Sequence, residues 1–284
     1  MSAFFNLYFS LGQCYKGTSH YWPLDKSIIF IQDTQGDRSR VGRIHGSWTI
    51  QEAPPKLGIT PQGLSLGGSS SWVDLGEFKD SCIISPSKCP NGISASFKAS
   101  VSGNETGHIL SSKGLAVFYK GTTMYFYVRD GQKFWQVHGS YQRNTWQTFS
   151  MTWSQENGLT AVIVGDTSNV LRDTCGKSVT PSTNTDITFT ISQSINESSA
   201  YAECVIRDVA VWEEEITEEK MSNLHVCNGE FKTTFQSVDS KTTSLQRYRR
   251  FHFGYSAIFL SMLYSCFRVE HLKNSTPSSF YGAG

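Results

Sequence analysis

The chain reads as an all-β protein of two packed antiparallel sheets, and three observations carry that reading. Aromatic residues make up 13% of its 284 residues and charged residues only 17%, a composition that favours short strands and turns over long solvated helices. Gly, Asn, Asp and Pro recur at strand-length intervals along the chain. The run 146–153 is the cleanest period-two segment, with Phe149, Met151 and Trp153 on one side and Thr148, Ser150 and Thr152 on the other; this predicts a strand with one buried and one wet face.

Taken in order, residues 3–11 are apolar enough for the hydrophobic stretch of a signal peptide. No basic segment precedes them and no clear small-residue cleavage site follows, so residues 1–18 read as a degenerate signal or a truncated start. Short strands are expected over 20–25 and 28–31, with Pro23 confining the first to a sheet edge or a strand end. Another strand is expected over 42–50, before Pro54, Pro55 and Pro61 break the chain. Gly63-Leu64-Ser65-Leu66-Gly67 matches the G-x-S-x-G nucleophile pattern, which works only where a strand turns sharply into a helix. Here Gly68-Ser69-Ser70-Ser71 and a further strand follow, so a plain strand and turn is expected.

Trp72-Val73-Asp74-Leu75-Gly76 leads into a loop bounded by Cys82 and Cys89 and carrying Pro86. Pro90 and Asn91-Gly92 then release the chain into an alternating run ending at Phe97. Strands at 108–110, 115–119, 123–128 and 133–138, divided by Lys113-Gly114, Gly121 and Asp130-Gly131, make a meander. After 146–153, Asn157-Gly158 is expected to supply the positive φ angles of a tight hairpin, with Leu159, Ala161 and Ile163 on the core face of the return strand. Residues 204–212 are apolar on both faces apart from Arg207 and Asp208, as an internal strand should be. Thr217 is placed to cap a short helix, Glu218 and Glu219 favour its positive end, and Ile216 with Met221 is spaced as a hydrophobic staple; the helix should end near Val226.

Three of these motifs carry a resemblance. Trp72-Val73-Asp74-Leu75-Gly76-x-Phe78 followed by the Cys and Pro loop, the Trp-rich strand turning through Asn157-Gly158-Leu159, and the closing strand Cys204 to Trp212 occur in the order seen in laminin G-like and pentraxin-like domains. These belong to the concanavalin A-like superfamily. The family's second strand of the hairpin commonly ends Asp-Gly, whereas this one ends Val164-Gly165-Asp166. The resemblance covers residues 19–227 and implies a two-sheet antiparallel jelly-roll sandwich with one short helix near the end of the domain. It implies a non-catalytic extracellular recognition or adhesion module for a glycan or an extracellular protein, with calcium held by rim loops in many relatives. Together with the prolines of the loop, it also implies a Cys82–Cys89 disulfide. A Cys175–Cys204 link is a further expectation, from the Gly-bounded loop at Cys175 and the strand at Cys204, although connectivity does not follow from sequence.

The same fold hosts glycoside hydrolases, which need two carboxylates across one face and carry a Glu-x-Asp-x-x-Glu strand. The dense acidic run Glu213-Glu214-Glu215 with Glu218 and Glu219 lacks the Asp and falls at the helix entrance, so a solvated helix start explains it. Asp130, Asp166 and Asp173 lie in turn-like segments and are the acidic candidates for calcium, though Asp favours turns for its own hydrogen bonds. His20, His45, His108, His138, His225, His252 and His271 show no metal-ligand spacing. Tyr125, Tyr127 and Trp135 are candidates for a sugar-stacking platform, against the alternative of cross-strand packing.

A formal net charge of +1 supplies no electrostatic drive toward nucleic acid. Seven Cys without CxxC pairs or Cys/His clusters fit disulfides of an oxidising compartment better than zinc, and the odd number leaves one over. Sequons at Asn104, Asn196 and Asn274 agree with secretion. Residues 228–284 read as a polar linker and a poorly ordered tail. Its apolar stretch 251–267 is diluted by His252, Gly254 and several Ser, and the Arg residues before it lie on the wrong side for an anchor following an extracellular domain. Arg247-Tyr248-Arg249-Arg250 resembles a proprotein-convertase site, with cleavage expected after Arg250.

Overall fold

The computed structural model describes residues 14–25, 31–36, 41–52, 62–68, 70–180, 185–195 and 200–227. Asn196, Asn274, Arg250, the stretches 3–11 and 251–267, and most of the strand expected over 28–31 lie outside the described residues. In chain order the strands are β1 (His20–Trp22), β2 (Ile31–Gln32), β3 (Val41–His45), β4 (Trp48–Glu52), β5 (Gln62–Gly67), β6 (Trp72–Glu77), β7 (Ile93–Val101) and β8 (Thr106–Ser111). They continue as β9 (Leu115–Lys120), β10 (Thr123–Asp130), β11 (Lys133–Ser140), β12 (Gln147–Ser154), β13 (Gly158–Val164), β14 (Ser168–Asp173), β15 (Lys177–Ser178), β16 (Thr188–Ile191) and β17 (Glu203–Trp212). One α-helix, α1 (Glu218–Asn223), follows.

The strands form two antiparallel sheets. One runs β14-β13-β12-β7-β17-β5-β4 with β1 also on β17, and the other runs β15-β11-β10-β9-β8-β16-β6-β3-β2. The main core lies between them. Leu64, Phe97, Phe149, Trp153, Ile206 and Val211 from the first sheet meet Val73, Val117, Met124, Phe126, Val128 and Phe189 from the second. The Trp72–Phe97 stretch links the layers, because β6 belongs to the nine-stranded sheet and β7 to the eight-stranded one. The expected strand over 42–50 is divided at Gly46, whose φ of +75° and close approach to the Ser70 carbonyl exclude a side chain. Its halves β3 and β4 enter different sheets. In the hairpin after β12, Gly158 alone takes a positive φ, of +73°. Ser154 pairs with Gly158, so the turn is a three-residue loop closed by a left-handed Gly rather than a two-residue Asn-Gly turn.

The expected wet face of β12 is also buried: all eight of its residues are sheltered from solvent. Its hydroxyls are satisfied sideways and from above. Ser150 bonds Ser96 at 2.9 Å, Thr152 bonds Ser94 at 2.7 Å and Thr148 reaches His225 at 3.3 Å. This face carries a second apolar cluster in which Tyr15, Ile216 and Met221, from the two ends of the domain, pack on Tyr21, Val162 and Trp212 of the sheet. Tyr15 stacks on Tyr21 with ring centroids 4.7 Å apart, and a Cys14–Cys227 disulfide clasps the two ends. Residues 14–18 therefore pack with the sandwich. The helix begins as its sequence dictates: Thr217 accepts from the Lys220 amide, and Ile216 and Met221 are both buried beneath it.

At its midpoint β17 changes partners. Cys204 and Ile206 pair with Leu66 and Leu64 of β5, whereas Val209 and Val211 pair with Trp22 and His20 of β1. The register against β7 shifts between Arg207 and Ala210, and Asp208 takes a φ of +53° at this bulge. Its buried carboxylate accepts from the Tyr21 hydroxyl at 2.8 Å and from Arg207 Nε at 2.9 Å, with Lys98 Nζ at 3.7 Å. Burial pushes the Lys98 ammonium down to about 8, against the pull of Asp208.

The structure joins Cys82 to Cys89 across a loop containing a short 3-10 turn, Pro86–Lys88. Cys175 and Cys204 are not joined. Cys175 is exposed beyond β14, at one edge of the eight-stranded sheet, while Cys204 is buried on β17. Four strand spacings, roughly 19 Å, separate those strands, far beyond disulfide reach.

Candidate functional site

The outward face of the nine-stranded sheet is where the structure gathers side chains suited to recognition. Strand alternation along β9, β10 and β11 sends Val117, Met124, Phe126, Val128, Trp135 and Val137 into the core. It leaves Phe118, Tyr125, Tyr127, Phe134 and Gln136 half-buried on the opposite side. The register then sets His108, Phe118, Tyr125 and His138 side by side on four adjacent strands. Their rings form a continuous ladder: His108–Phe118 at 5.0 Å, Phe118–Tyr125 at 4.9 Å and 4° between planes, and Tyr125–His138 at 5.3 Å. Tyr127 and Phe134 add a second stacked pair at 5.5 Å. Partial burial raises the Tyr127 phenol above the usual tyrosine range, so it is a neutral hydrogen-bonding group at physiological pH.

Beside the ladder the next cross-strand row runs Ser111, Ala116, Tyr127, Gln136. Ala116 is small beside Phe118 and Tyr127, and a pit of about 220 Å³ opens there. Phe118 and Tyr127 wall it, Gln136 supplies an amide, and Lys113 and Arg129 supply positive charge. Ser111 and Ser112 are already engaged: Ser111 Oγ accepts from the Ile195 amide at 3.1 Å, and Ser112 Oγ donates to the Ile83 carbonyl at 2.6 Å. They shape the wall and fix the β8–β9 turn that carries Lys113.

Of the three aromatics proposed for a platform, Tyr125 and Tyr127 lie on this face. Trp135 does not: it points inward, only 6% exposed, with its ring edge-on to Trp153 at 5.1 Å. One step of strand alternation decides this, because Phe134, Gln136 and His138 take the outward side of β11. The sequence did not single out Phe118 and Arg129, and it offered His108 and His138 only as histidines without metal-ligand spacing and Lys113 only as part of a turn. The alternation of Ala116, Phe118 and Lys120 against Val117 and Tyr119 is the signal that places Phe118 outward. The described histidines are all held by neighbours. His20 Nδ1 lies 2.5 Å from the buried Asp33 carboxylate, His45 stacks on Trp72 at 4.1 Å, and His225 meets Thr148.

The calcium candidates do not converge. Asp130 accepts from the Ser87 amide at 3.4 Å, Asp173 accepts from the Gln136 and Cys175 amides, and Asp166 is exposed in a separate turn. Among the described residues, the one group of His, Cys, Asp or Glu ligand atoms close enough for a shared ion is Cys82, Cys89 and Glu213, and the disulfide consumes both its sulfurs. A second hollow, of about 350 Å³, lies at the helix entrance beside Thr152, Thr160 and Met221. Its carboxylates are occupied: Glu215 accepts from Asn157 Nδ2 at 2.8 Å, and Glu218 pairs with Arg172. Ser65 lies in the middle of β5 between β4 and β17, with no helix after it.

No protein-family model matches the chain, and no curated protein matches it. Solved structures do. The receptor-binding domain of botulinum neurotoxin C/D mosaic serotype is similar at 14% identity with a TM-score of 0.52, over 74% of this chain and 51% of that one. The binding domain of botulinum neurotoxin DC in complex with SialylT is similar at 15% identity and a TM-score of 0.51, over 75% and 52% of the two chains. The same domain in complex with rat synaptotagmin II is similar at 16% identity and a TM-score of 0.50, again over 75% and 52%. The chain thus spans about half the length of these structures. Identity this low speaks for fold alone, and the shared feature is the all-β sandwich of two antiparallel sheets.

Proposed function

We propose that this chain is a non-catalytic extracellular recognition module whose outward nine-stranded face binds a glycan, free or on a glycoprotein. The observation that carries the reading is the four-ring ladder of His108, Phe118, Tyr125 and His138 beside a pit one sugar ring in size. A pyranose is amphipathic: its C–H faces stack on aromatic rings while its hydroxyls need donors and acceptors at the edge. Phe118 and Tyr127 offer the first, and Gln136, Lys113 and Arg129 the second. The laminin G-like and pentraxin-like resemblance of the Trp72, Trp153 to Leu159 and Cys204 to Trp212 motifs supports the same class. So do the sandwich neighbours, one of which is described with SialylT and another with rat synaptotagmin II. The Cys14–Cys227 and Cys82–Cys89 disulfides and the exposed sequon at Asn104, in the β7–β8 connection, support an oxidising, extracellular setting.

A glycan array probed with purified protein, with calcium and with chelator, alongside laminarin and β-glucan hydrolysis assays, tests this. Glycan binding that persists with chelator and occurs without turnover is the expected result. Binding lost on chelation would move the ligand to a calcium site elsewhere, and turnover abolished by a carboxylate substitution would replace the reading with a hydrolase.

A further inference from the structure

We propose that the pit at Ala116 selects an anionic saccharide unit over a neutral one; the inference rests on the glycan reading of the same face and adds its chemical class. Lys113 and Arg129 both line the pit, and among the described residues no Asp or Glu does. Among the described residues neither cation is paired with a carboxylate: the ion pairs found there are His20–Asp33, Lys88–Asp80, Lys98–Asp208, Arg172–Glu218 and Arg207–Asp208. Arg129 is instead steered by neutral oxygens, its Nε donating to the Gly131 carbonyl at 3.4 Å and one terminal nitrogen to the Thr180 carbonyl. These bonds orient the guanidinium without cancelling its charge. Lys113 is carried on the β8–β9 turn, which Ser112 fixes through the Ile83 carbonyl and the Leu115 amide.

Two positive charges, the guanidinium held in place and the ammonium carried on a fixed turn, beside an aromatic wall and an amide, complement a sugar ring carrying a carboxylate or a sulfate. They offer a neutral sugar only the wall and the amide. Cation placement of this kind sets specificity more than total affinity. The volume of the pit limits recognition to one ring, so the anionic unit would sit in the pit while adjoining sugars lie along the Phe118–Tyr125 ladder.

The test is titration calorimetry of the whole chain with three probes: sialyllactose for a carboxylate, a sulfated heparin disaccharide for a sulfate, and lactose as the neutral sugar. At least one anionic probe should bind at least roughly tenfold tighter than lactose, the discrimination that one charge-assisted hydrogen bond supplies. That preference should shrink as salt is raised. Lys113→Gln with Arg129→Gln should bring the anionic probe to the lactose level, and Ala116→Phe, which fills the pit and keeps both charges, should do the same. Phe118→Ala should weaken all probes alike. If lactose binds as well as both anionic probes, or the charge variants keep the preference while folded by circular dichroism, the selection is wrong and the glycan reading stands. If no saccharide binds, both fall together.

Discussion

Asp208 shows how much of this fold depends on single residues. It sits at the bulge where β17 exchanges β5 for β1, in the left-handed region, and it is 2% exposed. It serves two buried cations, Lys98 and Arg207, each 8% exposed. Asp208→Asn keeps a residue that tolerates the backbone angle but leaves both cations without a counter-charge. Denaturant unfolding should therefore show a loss of about 3–5 kcal/mol. Lys98→Met leaves Arg207 and Asp208 as a neutral pair and should cost less than about 1.5 kcal/mol, or stabilise. If the two variants cost the same, the cluster is not organised around Asp208. In the sequence Arg207 and Asp208 stood out as polar residues in an apolar strand, yet nothing local says that Lys98 and Tyr21 meet them. Trp135 shows the same limit, since alternation was legible in β11 while its phase was set by the neighbouring strands.

At the scale of elements, patterns that depend on close sequence neighbours translated into structure. The Thr217 cap, the Ile216–Met221 staple and the β9–β10–β11 meander formed where their residues predicted. The patterns that failed depend on what packs on top. Thr148, Ser150 and Thr152 alternate like a solvated face, but the helix and the N-terminal residues 14–18 cover it, and hydroxyl pairs such as Ser94–Thr152 meet the hydrogen-bonding need that water would otherwise serve. A polar face on a strand thus reported hydroxyls rather than exposure. The proposed recognition face was half legible: Tyr125 and Tyr127 could be named from alternation, whereas Phe118 and His108 join them through register across β8, β9 and β10.

For the whole molecule, the two outer faces have opposite fates. The eight-stranded sheet is covered by residues 14–18 and the helix region and locked by Cys14–Cys227, residues 213 apart in sequence; the nine-stranded sheet keeps a half-buried aromatic face. That disulfide was invisible in the sequence, because seven Cys allow many pairings and only the β1–β17 pairing brings these two together. In the chain-entropy model, closing so long a loop contributes about 5 kcal/mol, against about 2.5 kcal/mol for Cys82–Cys89. Cys14→Ser with Cys227→Ser should therefore lower unfolding stability about twice as much as Cys82→Ser with Cys89→Ser. Equal losses would show that the clasp does not tie the domain together.

Mapping amide chemical shifts during glycan titration tests most directly whether the nine-stranded face binds while the covered eight-stranded face does not. Saturable shifts are expected in β8 to β11, at Ala116, Phe118, Tyr125 and Tyr127, with β12, β13 and helix α1 unmoved. A footprint confined to the loops at 165–168 and 174–176, or to the helix entrance at 215–218, would contradict it.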